Sequence, residues 1–389
     1  MGKTVAIICE YNPFHNGHSY QIQRIREIIP DATVVCIMSG NIVQRGDFAF
    51  LDKYARAKSA VICGANAVLE IPYPYSASNA EIFALAGVEI ANHMGADFLC
   101  FGSESNDLEN LSKIAKVVDS EEFERRLQKE LLNKKESYLS SKQKALEAFG
   151  MELPKDSNDM LAVEYLRAIS KINSKIKPLP IKREGEGYKE TGKLSDMMSA
   201  TGIRNYFYSE NKLNSVPKRA HEIFDEEIRN GAYVGIDKAQ QFLYMNILTA
   251  TAEKIEKTFD ASSGMGYFIL ETARNSASAK DFFEKMTSKN YTHSRLKRVI
   301  TYFAFGVEKV ERAISFANLL CADKVGRGLI KAKKKDDFKI ITKTADSKSL
   351  DDKSKELYML GKKVDEVYFS LLSTSKLPSD VYKQNAIVI

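Results

Sequence analysis

The chain is poor in cysteine and histidine, with five of each in 389 residues, and it has no apolar run near the roughly 20 residues that a bilayer-spanning helix requires. Cys9, Cys36, Cys63, Cys100 and Cys321 stand singly. Neither a C-x-x-C zinc knuckle nor a paired disulfide framework is therefore available. Four of the five fall in or beside apolar, strand-like runs, which points to buried thiols in a reducing compartment. With no positively charged leader followed by a long apolar segment, the expected location is the cytoplasm, without membrane contact. Internal repeats, low-complexity linkers and long disorder-promoting runs are missing too. An apolar content of 44% over this length therefore predicts a globular protein with more than one packed domain. No Ser-His-Asp or Cys-His arrangement is visible.

Positive charge is scarce at the start. Residues 1–100 hold seven Lys or Arg against nine Asp or Glu, so the net +6 of the whole chain leaves +8 for the remainder. The basic excess lies outside the first domain, where it suits a polyanion larger than a nucleotide.

What the first hundred residues do contain is an alternation of β-rich runs and helical patterns: "VAIIC", "HSYQIQRIREII", "ATVVCIM", "YARAKSAVICGA", "AVLEIP", "NAEIFALAGVEIANHM", "ADFLCF". Near-continuous apolar strands separated by amphipathic helices imply parallel βαβ units with both sheet faces covered. In such sheets the ligand lies beyond the carboxyl ends of the strands. The loops there read "EYNPFHNGH", "SGNIVQRGDFAF", "PYPYSASN" and "GSESND". Residues 108–149 turn helical and highly charged, and "SNDMLAVEYLRAISKI" opens with a capping cluster that leaves its helix N-terminus available to a ligand. The expected organisation is an α/β Rossmann-like parallel sheet over residues 1–215, followed by a mostly helical, basic region over 216–389. A short strand is expected in that region at 339–342.

The loop "CEYNPFHNGHSYQ" leads from the first strand straight into a helix. A helix start at the mouth of the crevice offers free N–H groups and a positive dipole end to phosphate. Gly17 lets backbone come close, while His15 and His18 can aim ring nitrogens at the anion and stabilise charge during in-line attack on an α-phosphate. P-F-H-x-G-H after a first strand resembles the His-x-Gly-His signature of the nucleotidyltransferase superfamily related to class I aminoacyl-tRNA synthetases. "MMSATGIR" resembles the second signature of that superfamily, with Ser199, Thr201 and Arg204 placed to clamp the β and γ phosphates. Ordinary helix capping is the other reading of that segment.

Six ordered blocks sharpen the likeness: "AIICEYNPFHNGH", "MSGNIVQRGDFAFLDKYARAKSA", "ADFLCFGSESND", "SNDMLAVEYLRAI", "LPIKREGEGY" and "MSATGIR". Together they resemble the bacterial tRNA(Met) cytidine acetate ligase family. The resemblance implies an enzyme that activates acetate with ATP to acetyl-adenylate, releases pyrophosphate, and acetylates the wobble cytidine of elongator methionine tRNA. It implies His15, His18, Thr201 and Arg204 as catalytic residues. Carried over position by position, the ATP site would comprise Ile8, Cys9, Glu10, Tyr11, Asn12, Pro13, Phe14, His15, Asn16, Gly17, His18, Ser19, Tyr20 and Gln21, with Gly102, Asn158 and Arg183. Mg²⁺ is expected with the triphosphate, though no carboxylate cluster identifies ligands for it. Arg45 and Lys53 suit either acetate or phosphate binding or a salt-bridged surface role. For the tRNA, "KNYTHSRLKR" interleaves Lys289, Arg295, Lys297 and Arg298 with Tyr291, and Lys333 and Lys334 add a second basic patch; a plain solvated face is the other reading of each. The chain departs from the family at "SGMGYFIL", where a Gly-Leu-Glu-Asn-Arg type helix start is usual. Two other functions fit the residues: a small-molecule adenylyltransferase releasing pyrophosphate, and a non-enzymatic RNA-binding protein that keeps a nucleotide pocket as a sensor.

Overall fold

The computed structural model describes residues 2–132, 138–183, 198–311, 314–333, 338–374 and 376–389. Its centre is an eight-stranded sheet in the order β5-β4-β1-β2-β3-β6-β7, with β8 paired to β6. The strands are β1 (Thr4–Cys9), β2 (Thr33–Ser39), β3 (Ala67–Ile71), β4 (Phe98–Ser103), β5 (Lys177–Lys182), β6 (Phe316–Ala322), β7 (Lys339–Ile341) and β8 (Ile387–Val388). The first five are mutually parallel, and β6 runs antiparallel beside β3. Successive residues of β1 and β2 enter opposite faces: Val5, Ile7, Val34, Cys36 and Met38 join one core, while Ala6, Ile8, Val35 and Ile37 join the other. Burial on both faces accounts for the unbroken apolar runs of the sequence.

The helices in the first half are α1 (Asn16–Ile28), α2 (Lys53–Ile62), α3 (Ala80–His93), α4 (Leu108–Val118), α5 (Glu121–Leu131), α6 (Tyr138–Glu147) and α7 (Ser157–Lys171). They are followed by α8 (Ala200–Glu210), α9 (Lys218–Arg229), α10 (Ile236–Leu248), α11 (Ala252–Glu256), α12 (Met265–Arg274), α13 (Ala279–Lys285), α14 (His293–Phe305), α15 (Lys324–Lys333) and α16 (Asp352–Leu371). Side-chain caps fix several starts where the sequence supplies Asx, Ser or Thr: Asp52 for α2, Asn79 for α3, Ser199 for α8 and Thr292 for α14. One sheet face packs on α1, α2, α8 and α9, and the other on α3 to α7 and α15.

A third apolar cluster joins α10 to α14 and α16 to Ile42, Val43, Phe48, Tyr73 and Ala77, which lie in the loops after β2 and β3. The helical region is thus seated on the carboxyl end of the sheet. The stretch 216–389 is not helical throughout, however. After Ile314 the chain re-enters the sheet, and β6, β7 and β8 lie within the stretch 216–389 that composition marks as mostly helical. The expected strand at 339–342 is β7.

The strand order places a switch point between β1 and β4. From β1 the chain steps outward to β2 and β3, then crosses back to β4 on the other flank. The loops leaving β1 and β4 therefore diverge and open a crevice between them.

Candidate functional site

The loop leaving β1 fills one side of that crevice and is fixed from below. Arg56, fully buried in α2, donates to the backbone carbonyls of Glu10 (2.6 Å), Ser39, Gly40 and Leu51. The Asn12 side chain accepts from the Phe50 N–H at 2.8 Å, and Arg204 of α8 donates to the Asn12 carbonyl at 2.5 Å. Tyr11, at φ +48°, occupies left-handed backbone that a bulky residue rarely adopts. Its buried ring lies 4.6 Å from that of His18 and 4.9 Å from that of Phe14, and its hydroxyl sits 3.3 Å from Cys36 Sγ.

His15 is the N-cap of α1. Its Nδ1 accepts from the Gly17 N–H at 3.1 Å, and the His15 N–H donates to Nδ1 of His18 at 3.2 Å. With both Nδ1 atoms accepting, each ring carries its proton on Nε2. The rings stack 3.7 Å apart. Burial, followed by the nearby Arg183, lowers the pKa of His15 to about 4, and burial, then His15 and Arg183, lowers that of His18. Two neutral imidazoles thus each hold one N–H donor beside a helix N-terminus, which can bind and polarise a phosphate without a proton transfer. Gly17 keeps the cap uncrowded: a Cβ there would stand 3.0 Å from His15 Cε1, a tight contact that would push on the ring.

Across the crevice, Gly102 near the end of β4 lies under the stem of Arg183, 3.2 Å from its Cγ to where a Cβ would sit. Asn158, in the first turn of α7, donates to Glu104 at 2.5 Å, and Arg183 approaches the same carboxylate at 3.9 Å. On α8, Ser199 accepts from the Gly202 N–H as the helix cap, and Thr201 Oγ1 accepts from Arg204 at 3.2 Å. Gly102, Asn158, Arg183, Ser199, Thr201 and Arg204 line one cavity of ≈ 2210 Å³ with His15 and His18, and it also takes in Arg45, Asp47, Asp260 and the segment 288–295. That volume exceeds the few hundred to 1,000 Å³ typical of a small-molecule pocket.

The basic wall of the cavity is the start of α14. Arg295 donates to the carbonyl and carboxylate of Asp260, Arg298 to the Asp260 carboxylate at 3.0 Å, and Lys297 pairs with Asp47 at 2.7 Å. Lys289 is exposed at the rim, and Tyr291 lies under the Arg295 guanidinium at 5.8 Å.

A family model described as HIGH Nucleotidyl Transferase matches residues 2–384. A tRNA(Met) cytidine acetate ligase of Clostridium acetobutylicum is 30% identical over 98% of this chain and 99% of its own length. Its counterpart from Fusobacterium nucleatum is 34% identical over 94% of each. The chain belongs to the tRNA(Met) cytidine acetate ligase family. Thermotoga maritima TmcAL, in a crystal structure bound with alpha-thio ATP, superposes with a TM-score of 0.90 at 28% identity, covering 100% of this chain and 99% of that one.

In this ligase-family chain, His15, His18, Gly102, Asn158, Arg183, Thr201 and Arg204 share one cavity with most of the loop 8–21, whereas Phe14 is buried in the core beneath it and Pro13, Asn16 and Ser19 do not line it. Lys289, Arg295, Lys297 and Arg298 line it too. Lys333 does not. It lies in α15, with its ammonium 2.8 Å from where a Cβ on Gly95 would sit, and Gly95 precedes β4 at the opposite end of the sheet. Lys334 falls outside the described residues. Lys53 is buried between Glu70 (2.8 Å) and Asp365 (2.7 Å), a structural ion cluster that joins α2, β3 and α16. Sequence reasoning missed Arg56, Glu104 and Asp260, whose partners lie far away in the chain or are backbone carbonyls. For magnesium, Glu104, Asp156 and Asp159 bring oxygens within 4.8 Å of one another. Asp159, though, already accepts from the Ser103 hydroxyl and the Glu104 and Ser105 N–H groups, and Glu104 accepts from Asn158 and the Asp159 N–H. Among the described residues, Asp159 and Glu104 are thus engaged in shaping the loop after β4.

Proposed function

We propose that this protein activates acetate with ATP and transfers the acetyl group to the wobble cytidine of elongator tRNA(Met). The observation that carries the reading is one continuous cavity with two unlike walls. One wall holds paired neutral imidazoles at the α1 N-terminus, suited to a triphosphate; the other is the cationic start of α14, suited to an RNA backbone.

Acetate is a poor electrophile until its oxygen is joined to phosphorus. In the first step its carboxylate oxygen attacks the α-phosphate in line, and pyrophosphate leaves. Charge then builds on the α-phosphate oxygens, where the Nε2–H groups of His15 and His18 and the free N–H groups of α1 can donate. Thr201 and Arg204 would hold the departing β and γ phosphates, with Gly102, Asn158 and Arg183 at the base and ribose. In the second step an amine attacks the acetyl carbonyl and AMP leaves. The site needs positioning and charge stabilisation rather than a protein nucleophile.

Two assays test this. Acetate-dependent exchange of labelled pyrophosphate into ATP is expected without RNA, and label from acetate should appear in a tRNA(Met) transcript. Exchange without any transfer to RNA would favour a small-molecule adenylyltransferase, and RNA binding without exchange would favour a sensor.

A further inference from the structure

A carboxylate stands where the site otherwise collects donors for a polyanion. Glu10 follows β1 directly, five residues before His15, and lines the same cavity. Beside a triphosphate a negative side chain opposes binding, so its presence there calls for a chemical reason. It is held deliberately. The Gln44 N–H donates to its Oε1 at 3.0 Å, and the Gln44 side chain is anchored on the Ser78 carbonyl at 2.8 Å. The Ser78 hydroxyl in turn meets the Tyr302 hydroxyl of α14 at 2.9 Å. No donor among the described residues reaches Oε2. The turn that grips Glu10 is also the one that docks on the basic wall, through Lys297–Asp47 and through Thr301, whose hydroxyl donates to the Gly46 carbonyl at 2.8 Å. Glu10 therefore stands where the nucleotide wall meets the RNA wall.

The second half-reaction has an unmet need at that place. A cytosine exocyclic amine is a weak nucleophile that must shed a proton as it is acylated, and both imidazoles carry their Nε2 protons toward phosphate. We propose that Glu10 is the general base of the acetyl-transfer step, its Oε2 taking the proton that the exocyclic amine loses. The inference rests on the reading given under Proposed function. The amine nitrogen bonds to the acetyl carbonyl carbon, the bond from that carbon to the AMP phosphate oxygen breaks with its electron pair leaving on AMP, and the proton passes to Glu10 and then to solvent. The charged groups that face Glu10 are Arg204 of α8, Arg45 of the turn and Arg56 of α2; burial raises its pKa against their opposing pull. A carboxylate whose pKa is raised by burial is a stronger base than an exposed one.

The test separates the two half-reactions. In Glu10→Gln, which keeps the acceptor for Gln44, single-turnover transfer from synthetic acetyl-adenylate to tRNA(Met) should fall by roughly 10²–10⁴-fold. Because Glu10 also borders the nucleotide cavity, acetate-dependent pyrophosphate exchange is expected to fall as well, but at least about tenfold less than transfer does. The wild-type transfer rate should rise with pH through an acid limb that Glu10→Gln lacks, and Glu10→Asp should recover part of the rate. Equal losses in exchange and transfer, near-normal transfer in Glu10→Gln, or no acid limb in the wild type would overturn the assignment. A wild type that exchanges pyrophosphate but never acetylates RNA overturns the underlying reading and this inference with it, and is recognised before any variant is made.

Discussion

The two imidazoles at the α1 N-terminus are buried and neutral, and that has a measurable consequence for stability. His15 is 8% exposed, and its pKa of about 4 in the fold lies below the ordinary 6.5 that the unfolded chain shows. Between those values the unfolded state binds the proton and the folded state does not, so stability falls as pH drops from about 6.5 toward 4. The slope is about 1.4 kcal/mol per pH unit for each such group. Urea unfolding at pH 7, 6 and 5 should show this slope, and His15→Asn, which can still cap α1, should flatten part of it. A variant whose stability tracks the wild type in parallel over that range would mean that His15 is protonated in the folded protein. Above pH 6.5 both rings stay neutral, so their Nε2–H donors are unchanged across the physiological range.

At the scale of elements, the turn between β2 and α2 is the joint between the sheet and the helical region. Gly46 holds φ +83°, and a Cβ on it would meet the backbone N of Arg298 at 2.9 Å. Backbone of the turn and backbone of α14 touch there, and no side chain can yield. Gly46→Ala combines left-handed strain with that clash, and a loss on the order of 2–4 kcal/mol is expected. Because the turn carries Gln44 and Asp47, displacing it moves the basic wall relative to the histidine loop. RNA acetylation should therefore drop more steeply than pyrophosphate exchange, with a lowered Tm by circular dichroism. Equal effects on both activities would show that the turn only supports global stability. The short helix start of α14 and the turn form one working unit, although some 250 residues of chain separate them.

Over the whole molecule, what the sequence revealed and what it hid divide by range. The histidine loop was legible because strand, glycine, histidine spacing and helix are all contiguous, and the βαβ series because apolar runs repeat locally. The return of β6 to the sheet was hidden, since a seven-residue strand among helices carries no sign of its distant partner β3. Lys53 looked like a surface or anion-binding cation for the same reason: Glu70 and Asp365, which bury it, lie 17 and 312 residues away. The two basic patches looked alike in sequence, yet the fold sets them at opposite ends of the sheet, and this gives a test of where RNA lies. Binding of tRNA should weaken with salt, with a slope of log K against log salt set by the phosphates neutralised. Lys289, exposed on the cavity rim, should contribute, and Lys289→Ala should reduce the slope by about one. Lys333→Ala, beyond the amino ends of the strands, should leave slope and affinity as they are. If filter binding at several salt concentrations shows the reverse, the RNA passes over α15 and the basic start of α14 serves only to brace the cleft through Asp260 and Asp47.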